Sequence, residues 1–420
     1  MLNRLIYQFK FVLLFLLWFS VSSCEAQVET YSPMFKCSKK LDNPYGICTH
    51  INRTGERWEY DTRDVNLKMV NETGASWIRA DFDWTSLQKR MKGAYSYNFY
   101  DDMMKSVKDS HKNLFGLLVP PQRRDQYKEW ETYVDNTVSR YKKNVKYWEV
   151  INEADIRYKN PVWSWFTAND YVDLLKRGCK TIKIQDKKSK ILFSGIANTD
   201  TKFVDSVFRA GVSDYFDIMT VHRYCHKGVE PEILLDYFSR LNNKLNKYNI
   251  DKPVWLTECG TSTAVGWATE EAQAKRLPRI FLVSFACGID KVFYYKSRSC
   301  ELDAKELEDH FGLWHKDYTP KPAFYAYQTL TKMCPDKSVR PTLRREGGVY
   351  IAQWKRPDGK KAYALWTSKE NETVELTIKG AFDCYDINGK KLSLMTHEIE
   401  VSPSILYFIG NRKFELSVKE

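Results

Sequence analysis

The spacing of apolar positions along this chain changes near residue 334. Before it, short apolar runs rich in β-branched and aromatic residues alternate with longer segments whose apolar residues recur every three or four positions. Buried strands give the first pattern and amphipathic helices give the second. After residue 334, apolar and polar residues alternate one by one, as in half-buried strands. The sequence therefore predicts an α/β region followed by an all-β region.

The α/β region contains eight candidate strands separated by amphipathic segments. Strands are predicted at residues 45–49, 76–81, 113–119, 146–152, 190–195, 216–222, 253–258 and 291–295. Helices are predicted at residues 63–73, 97–108, 124–142, 169–184, 230–248, 270–287 and 322–333. Eight consecutive parallel units favour closure into a (β/α)8 TIM barrel over residues 44–334, with a doubly wound open sheet as the alternative.

The all-β region, residues 335–420, predicts a C-terminal antiparallel β-sandwich domain. Short strands are predicted at residues 349–354, 361–366, 373–378, 382–386, 398–401 and 405–409. Turn signals such as Pro357-Asp-Gly and Asn388-Gly separate them. A further strand for this domain is predicted within residues 31–40 of the N-terminal segment, residues 24–43.

Residues 1–23 have the pattern of a signal peptide of the lipoprotein type. A basic start precedes an apolar run at residues 11–19, which is too short for a comfortable transmembrane span. Val21-Ser-Ser-Cys24 resembles a bacterial lipoprotein box, so we expect Cys24 to carry a lipid anchor. Conventional cleavage after Ala26 is the alternative. We therefore expect an exported protein in the bacterial cell envelope, attached to the outer membrane or in the periplasm.

Composition narrows the classes of partner. The chain has 420 residues, of which 15% are aromatic, including 13 Trp and 26 Tyr, more than packing alone usually needs. Such rings suit stacking on sugar faces or on nucleic-acid bases. The net charge of +12 would suit nucleic acid, but the lysines are spread over many helices and form no basic stripe. We therefore expect no nucleic-acid partner and leave an acidic glycan open.

The ten cysteines do not form a disulfide framework. Most lie in apolar strand or helix contexts, where Cys behaves as a small hydrophobic residue. Cys37 and Cys48 are a possible pair that sequence alone cannot establish. His222 and His226 lie where a strand runs into a loop, so they share no helical face. We predict neither a metal nor an organic cofactor.

Two predicted strands of the barrel end in a glutamate. The strand at residues 146–152 stops at Asn152-Glu153, and the strand at residues 253–258 stops at Glu258. A single glutamate at a strand end is usually solvated. In a barrel, however, the carboxyl ends of the strands carry the catalytic groups, and two facing carboxylates can serve as acid/base and nucleophile on a sugar. Two such glutamates, one of them beside an asparagine, favour the catalytic interpretation.

The other strands supply polar and aromatic side chains to the same rim. The predicted substrate-binding residues are His50, Arg79, Asp81, Trp84, Asn152, Trp163, Trp165, Asn198, His222, Tyr224 and Tyr295. Structural alternatives exist for several of them, since Arg79 could balance Asp81 and the two tryptophans after strand four could pack their own loop. Tyr224 would orient a carboxylate nucleophile by hydrogen bonding.

These motifs resemble the clan A retaining glycoside hydrolases. Asn152-Glu153 on strand four, His222-x-Tyr224 on strand six and Glu258 on strand seven match the pattern of the clan. Resemblance to family 39 and related bacterial endoglycosidases rests on Trp77-Ile-Arg-Ala-Asp-Phe-Asp-Trp84, Gly93-x-Tyr95-x-Tyr97, Trp148-Glu-Val-Ile-Asn-Glu153 and His310-Phe-Gly-Leu-x-x-x-Asp317-x-x-Pro-Lys-Pro322-Ala. The resemblance covers about residues 45–333. It implies Glu153 as acid/base and Glu258 as nucleophile acting on an oligo- or polysaccharide.

Three positions depart from the pattern of the clan. Tyr294 or Tyr295 stands where strand eight commonly ends in Trp, Ala154 replaces the Pro that usually follows Asn-Glu, and Cys259 follows Glu258 where many relatives have a larger residue. The alternative function is that of a catalytically silent glycan-binding lipoprotein, which would share the aromatic pocket without needing both carboxylates. We expect a monomer in either case.

Overall fold

The computed structural model of the protein describes residues 28–88, 93–157, 159–225, 230–368 and 370–419. The predicted signal peptide with Cys24, and His226, lie outside these ranges. Within the described ranges, no helix combines the length and the apolar character that crossing a membrane requires.

Eight parallel strands form a barrel. Strand β1 (Glu29–Tyr31) precedes them, and the barrel strands are β2 (Tyr45–Cys48), β3 (Trp77–Phe82), β4 (Asn113–Leu118), β5 (Tyr147–Val150), β6 (Lys190–Leu192), β7 (Met219–His222), β8 (Val254–Cys259) and β9 (Lys291–Tyr294). They pair in the order β6-β5-β4-β3-β2-β9-β8-β7. Parallel bridges from Leu192 to Ile218 and from Ile196 to Val221 join the two ends. The predicted TIM barrel is therefore confirmed, and the open doubly wound sheet is excluded.

Helices follow the barrel strands, and the longer of them cover the outside of the barrel. They are α1 (Arg63–Thr73), α2 (Trp84–Leu87), α3 (Asn98–Asp109), α4 (Tyr127–Tyr141), α5 (Ala154–Arg157), α6 (Ala168–Gln185), α7 (Lys202–Arg209), α8 (Glu232–Lys247), α9 (Glu270–Ala286) and α10 (Pro322–Met333). The sequence predicted no helix at α7. This helix is short, and it buries a stripe of only Val204, Val207 and Phe208.

Aromatic side chains fill the amino-terminal half of the barrel. Trp77 and Trp255 have ring centroids 5.7 Å apart, and Phe115 and Phe293 approach to 4.9 Å. A Cβ atom at Gly46 would fall 2.3 Å from the Phe293 ring, so this strand position has to be glycine. Because this half of the barrel is closed by packing, polar groups lie at the carboxyl ends of the strands.

The C-terminal strands form two antiparallel sheets. They are β10 (Thr342–Glu346), β11 (Val349–Lys355), β12 (Lys361–Thr367), β13 (Glu372–Lys379), β14 (Phe382–Tyr385), β15 (Lys391–Leu392), β16 (Glu398–Val401), β17 (Leu406–Gly410) and β18 (Glu415–Val418). One sheet has the order β1-β10-β11-β12-β17-β14-β15 and the other β16-β13-β18, which confirms the β-sandwich. The sequence missed β10, β15 and β18, which carry many charged or exposed residues. The N-terminal segment does add a strand, but at Glu29–Tyr31, so most of the predicted range 31–40 is wrong.

Both faces of the larger sheet are buried. Along β11, Val349 and Ile351 pack into the core between the two sheets, whereas Tyr350 and Trp354 belong to the core that continues into the barrel. The Trp354 indole N–H donates to the Met333 carbonyl at the end of α10 across 3.1 Å. The sandwich is therefore attached to the barrel by a hydrophobic interface.

Cys37 and Cys48 are unpaired in the structure. Cys37 is half-buried near the N-terminus, whereas Cys48 is buried at the end of β2 and donates to the Thr257 carbonyl across 3.3 Å. The possible disulfide between them is not formed.

Candidate active site

A cavity of about 500 Å³ opens at the carboxyl ends of the barrel strands. Its lining includes ten of the residues that the sequence analysis placed there: His50, Arg79, Asp81, Trp84, Asn152, Glu153, Trp163, Tyr224, Glu258 and Tyr295. It also includes residues that the sequence analysis did not select, among them Arg53, Asp83, Gln122, Arg157 and Glu308.

Glu153 and Glu258 reach this cavity from opposite sides of the barrel. Glu153 follows β5 in a turn with φ of 46°, and its backbone N–H donates to the Ser194 carbonyl across 2.6 Å. Glu258 is the penultimate residue of β8. One oxygen of each carboxylate and one nitrogen of His222 all lie within 4.8 Å of one another. The two carboxylates therefore face each other across the floor of the cavity.

Arg79 holds three acceptors at the cavity floor. Its Nε and Nη2 donate to Oε2 of Glu149 across 3.0 and 2.8 Å, and its Nη1 donates to Oε1 of Glu258 across 2.5 Å. Nη2 also donates to Oδ1 of Asn152 across 2.5 Å. Burial would lower the pKa of Arg79, but the carboxylates of Glu149 and Glu258 raise it well above its usual value. Arg79 is therefore a permanent cation bound to Glu258.

Asp81 is not the partner of Arg79. It accepts from Nδ2 of Asn52 across 2.8 Å and pairs with Arg53 across 2.9 Å. The simple alternative, that Arg79 balances Asp81, is wrong, because the Arg79 side chain points across the barrel floor toward β5 and β8.

Tyr224 donates its hydroxyl proton to Oε2 of Glu258 across 2.6 Å. Burial and the neighbouring Glu258 carboxylate raise the pKa of Tyr224 well above its usual value, so the phenol stays protonated. With Arg79 on the other oxygen, both oxygens of Glu258 accept a hydrogen bond from the protein. This arrangement fixes the orientation of the carboxylate.

His222 was predicted to bind substrate, but it does not line the cavity. It is fully buried, and its Nδ1 lies 2.9 Å from Oε1 of Glu153 and 3.4 Å from Oε2 of Glu258. The correction has a simple cause: His222 ends β7 inside the barrel, so its ring lies beneath the two carboxylates.

His222 and Glu153 share one proton. Burial would lower the pKa of His222, but the charge of Glu258 and the contact with Glu153 raise it. Burial would raise the pKa of Glu153, but His222, Arg79 and Arg157 lower it. Between these pKa values the pair carries a single proton, which can reside on the imidazole or on the carboxyl group.

Among the described residues, one group of side chains has donor atoms close enough to one another to ligate a metal ion. It consists of Glu153, His222 and Glu258. Both oxygens of Glu258 are already engaged, one of them by the guanidinium of Arg79. A divalent cation beside that guanidinium would be repelled. The residues present do not fit a metal site.

Aromatic groups form the wall near β2 and β9. The imidazole of His50 lies with its centroid 4.8 Å from Trp58 and 5.7 Å from Tyr295. Burial and nearby positive charges lower the pKa of His50 well below its usual value, so this ring is neutral. The Tyr295 hydroxyl donates to Oε2 of Glu308 across 2.7 Å. Of the two candidate tyrosines, Tyr295 lines the cavity, whereas Tyr294 is buried.

Trp84 and Trp163 contribute in different ways. Trp84 is buried with its ring stacked on Tyr133 at 5.5 Å, so it forms part of the wall without presenting an open face. Trp163 is half-buried, and its indole N–H donates to the Pro121 carbonyl across 3.1 Å. The guanidinium carbon of Arg157 lies 4.6 Å from its ring centroid.

Trp165 and Asn198 do not line the cavity, which corrects the prediction for both. The Trp165 indole N–H donates to the Gln122 carbonyl across 2.9 Å, so this ring is held by the neighbouring loop that follows β4. Asn198 is exposed, and its Oδ1 accepts from the backbone N–H of Asp200 across 3.0 Å. Each side chain is therefore engaged by a backbone group, that of Asn198 in its own loop and that of Trp165 in the loop after β4.

Glu149, which lies beneath the cavity, is a further residue that the sequence analysis overlooked. It is fully buried on β5, where it accepts from Arg79 and from the Thr220 hydroxyl across 3.1 Å. A signal was present in the sequence, because a buried charge inside an apolar strand requires a buried partner of opposite charge. Arg79 on β3 is that partner.

The family model described as glycosyl hydrolase catalytic core matches residues 74–285, just over half of the chain. The chain belongs to this family. It is a glycosidase whose fold is that of clan A, as the motifs on the rim predicted. No protein of curated function matches its sequence.

Solved glycoside hydrolases share the fold. A family 39 glycoside hydrolase from Bacteroides cellulosilyticus WH2 is similar with a TM-score of 0.69 and 18% identity, over 89% of this chain and 82% of that one. A family 39 β-xylosidase from Caulobacter crescentus is similar with a TM-score of 0.64 and 13% identity, over 91% of this chain and 99% of that one. A family 30 endoxylanase from Clostridium papyrosolvens C71 is similar with a TM-score of 0.62 and 13% identity, over 90% of this chain and 98% of that one. At these identities the likeness concerns the fold alone.

Proposed function

We propose that the protein hydrolyses a glycosidic bond of an oligo- or polysaccharide with retention of anomeric configuration. Glu258 is the nucleophile and Glu153 is the acid/base. The observation that carries the proposal is the approach of the two carboxylates, with an oxygen of each within 4.8 Å. Retaining pairs lie about 5–5.5 Å apart, whereas inverting pairs lie about 6.5–9.5 Å apart because they hold a water molecule.

In the first step a carboxylate oxygen of Glu258 attacks the anomeric carbon. The bond from that carbon to the leaving oxygen breaks, and the proton held by Glu153 and His222 passes through Glu153 to the leaving oxygen. Arg79 and Tyr224 support this step because their hydrogen bonds hold the Glu258 carboxylate in a fixed orientation.

In the second step Glu153 acts as a base. It takes a proton from water, the water oxygen bonds to the anomeric carbon, and the ester bond to Glu258 breaks. The negative charge of Glu258 is absent in the glycosyl-enzyme, so the pKa of Glu153 falls and favours this second role. Neither step requires a metal or an organic cofactor.

Asn152 is suited to hold the sugar that is attacked. Its Oδ1 accepts from Arg79, which leaves the amide N–H groups to donate to a sugar hydroxyl. The rings of Trp163 and Tyr295 on the cavity wall suit contacts with sugar faces. A silent glycan-binding protein would need these rings, but it would not need Glu258 fixed by Arg79 and Tyr224.

Substitution of each glutamate, on a panel of aryl glycosides and polysaccharides, tests the assignment. Glu258→Ala should abolish turnover, and added azide should restore it with an inverted glycosyl azide as product. Glu153→Ala should slow substrates with poor leaving groups far more than activated aryl glycosides, and azide should then give the retained product. Turnover near the wild-type rate in Glu258→Ala would contradict the proposal.

We further propose that Cys24 carries a lipid anchor in the bacterial cell envelope. The support is the lipoprotein box Val21-Ser-Ser-Cys24 after an apolar run. A monomer attached in this way would act on glycans that reach the cell surface or the periplasm.

A further inference from the structure

Arg157 is a guanidinium of the cavity that forms no ion pair or hydrogen bond with a carboxylate of the described residues. The other two arginines of the lining are paired, Arg53 with Asp81 and Arg79 with Glu149 and Glu258. The hydrogen bonds of Arg157 go instead to a backbone carbonyl, that of Asn152, from Nε across 3.2 Å and from Nη2 across 2.6 Å.

The Arg157 side chain is held rigidly beside Glu153. It ends α5, the short helix that begins directly after Glu153. The carbonyl of Asn152 fixes one edge of the guanidinium, and the Trp163 ring covers one face with a separation of 4.6 Å. Nη1 has no hydrogen bond to the described residues, so its N–H groups are available to a ligand in the cavity.

The charge of Arg157 is not balanced when Glu153 acts as an acid. Burial lowers the pKa of Arg157 to about 10, so the group stays protonated at neutral pH, and the Glu153 carboxylate is the charge that supports it. Once Glu153 is protonated, that support is lost. A poorly solvated cation without a counter-charge is costly, and an anionic ligand would complete the site.

We propose, on the basis of the proposed hydrolase function, that the wall formed by Arg157 and Trp163 binds an anionic group on the departing part of the substrate. The group is a carboxylate or a sulfate ester, both of which match the donor geometry of a guanidinium. Glu153 must reach the glycosidic oxygen, so the departing sugar is the part of the substrate that lies nearest this wall. The preferred substrate is an acidic glycan.

Binding of the anion also assists the chemistry. The positive charge of Arg157 lowers the pKa of Glu153 and so weakens its hold on the proton that it must deliver. An anion bound to Arg157 cancels that effect and raises the pKa of Glu153. With an acidic substrate, the fall in kcat at alkaline pH therefore begins at a higher pH than with a neutral one, because kcat reports the pKa of Glu153 in the complex with substrate.

Matched oligosaccharides test the inference. Uronic-acid oligosaccharides are compared with their carboxyl-reduced forms, and sulfated oligosaccharides with their desulfated forms. Binding is measured by titration calorimetry in the Glu258→Gln background, so that the sugar is not cleaved. In at least one of the two pairs, the acidic oligosaccharide should bind about tenfold or more tightly than its neutral counterpart, in keeping with a charge-assisted hydrogen bond. The pair that shows the preference distinguishes carboxylate from sulfate.

Substitutions of Arg157 assign the preference to this residue. The preference for the acidic form should disappear in Arg157→Met and persist in part in Arg157→Lys. It should remain complete in Lys159→Met, which removes a neighbouring exposed cation. Equal binding of charged and neutral forms by the Glu258→Gln protein, or an undiminished preference in Arg157→Met, would overturn the inference. Should Arg157→Met fail to fold, an undiminished preference in Arg157→Lys would overturn it instead. Because binding is read without turnover, these outcomes are distinct from a failure of hydrolysis, which would overturn the proposed function.

Discussion

Nη1 of Arg79 lies 2.5 Å from Oε1 of Glu258, and this contact joins a buried charge network to the cavity. The guanidinium donates to the fully buried Glu149, and burial raises the pKa of that carboxyl group even though the charge of Arg79 opposes this effect. Arg79 is therefore held from below by one carboxylate while it holds a second one above. The position of Glu258 depends on a strand pair at the base of the cavity as much as on β8 itself.

Arg79→Lys should impair both activity and stability. A lysine cannot donate to Glu149, Asn152 and Glu258 together. We expect kcat/KM to fall by about 10²–10³ and the free energy of unfolding to fall by about 3–5 kcal/mol, because a buried carboxylate loses its partner. Steady-state kinetics and urea denaturation measure the two effects.

Arg140→Lys is the matched control for this change. Arg140 pairs with Asp101 on the surface, so its replacement should leave kcat/KM unchanged and alter the free energy of unfolding by no more than about 1 kcal/mol. Wild-type kcat/KM in Arg79→Lys would contradict the role given to that residue.

His222→Asn should cost the most stability in mildly acid solution. The pKa of His222 is raised above its usual 6.5, so its contribution to stability is complete below pH 6.5 and is lost as the pH rises through the raised value. The pKa of Glu153 is lowered below its usual 4.5, so its contribution is present above pH 4.5 and is lost as the pH falls through the lowered value. The pair thus stabilises the fold most between these two usual values.

Thermal unfolding of the wild type and His222→Asn across pH checks this window. The difference in the free energy of unfolding should be larger at about pH 5.5 than at about pH 9. A difference that grows toward alkaline pH would show that His222 is buried without a shared proton.

The β-sandwich should be required for a stable barrel. One face of its larger sheet covers barrel helices, and Trp366 is fully buried there with its ring stacked on Tyr350. Truncation after Pro335 should give insoluble protein, and Trp366→Ala should cost about 3–5 kcal/mol. Met395→Ala, at a side chain that is 92% exposed, should change stability by no more than about 0.5 kcal/mol. A soluble, fully active truncation would refute this dependence.

Cys24→Ala should detach the protein from the membrane. Without the acylated thiol, the chain should appear in the soluble periplasmic fraction or remain unprocessed. Cys37→Ala is the control, since Cys37 is outside the lipoprotein box and unpaired, and it should fractionate as the wild type does. Native protein recovered as soluble material with a free N-terminus near Gln27 would contradict the anchor.

The sequence predicted the barrel well because all eight strands are buried runs that alternate with amphipathic helices. Residues at the ends of these strands, such as Glu153 and Glu258, were placed correctly at one rim, since the fold determines where strand ends point. Strands with weak alternation were missed. β10, with the sequence Thr-Leu-Arg-Arg-Glu, is held by its two neighbours in the sheet more than by its own pattern.

The direction of side chains in loops was harder to predict. Trp165 and Asn198 follow strands and have residue types that suit sugar binding, but Trp165 donates to a backbone carbonyl of the loop after β4, and Asn198 accepts from a backbone N–H of its own loop. His222 was placed at the correct strand end, but on the buried side of the carboxylates. The sequence did not point to Arg157, because its importance arises from its position in three dimensions, where it forms no ion pair with a carboxylate of the described residues.

Proton NMR of the first-formed sugar tests the central claim most directly. With a wild-type enzyme and a substrate identified from the glycoside panel, the anomer released before mutarotation should have the same configuration as the substrate. Retention is the result expected from two carboxylates with oxygens within 4.8 Å, one of which forms a bond to the sugar. An inverted first product would contradict the assignment of Glu258 as the nucleophile.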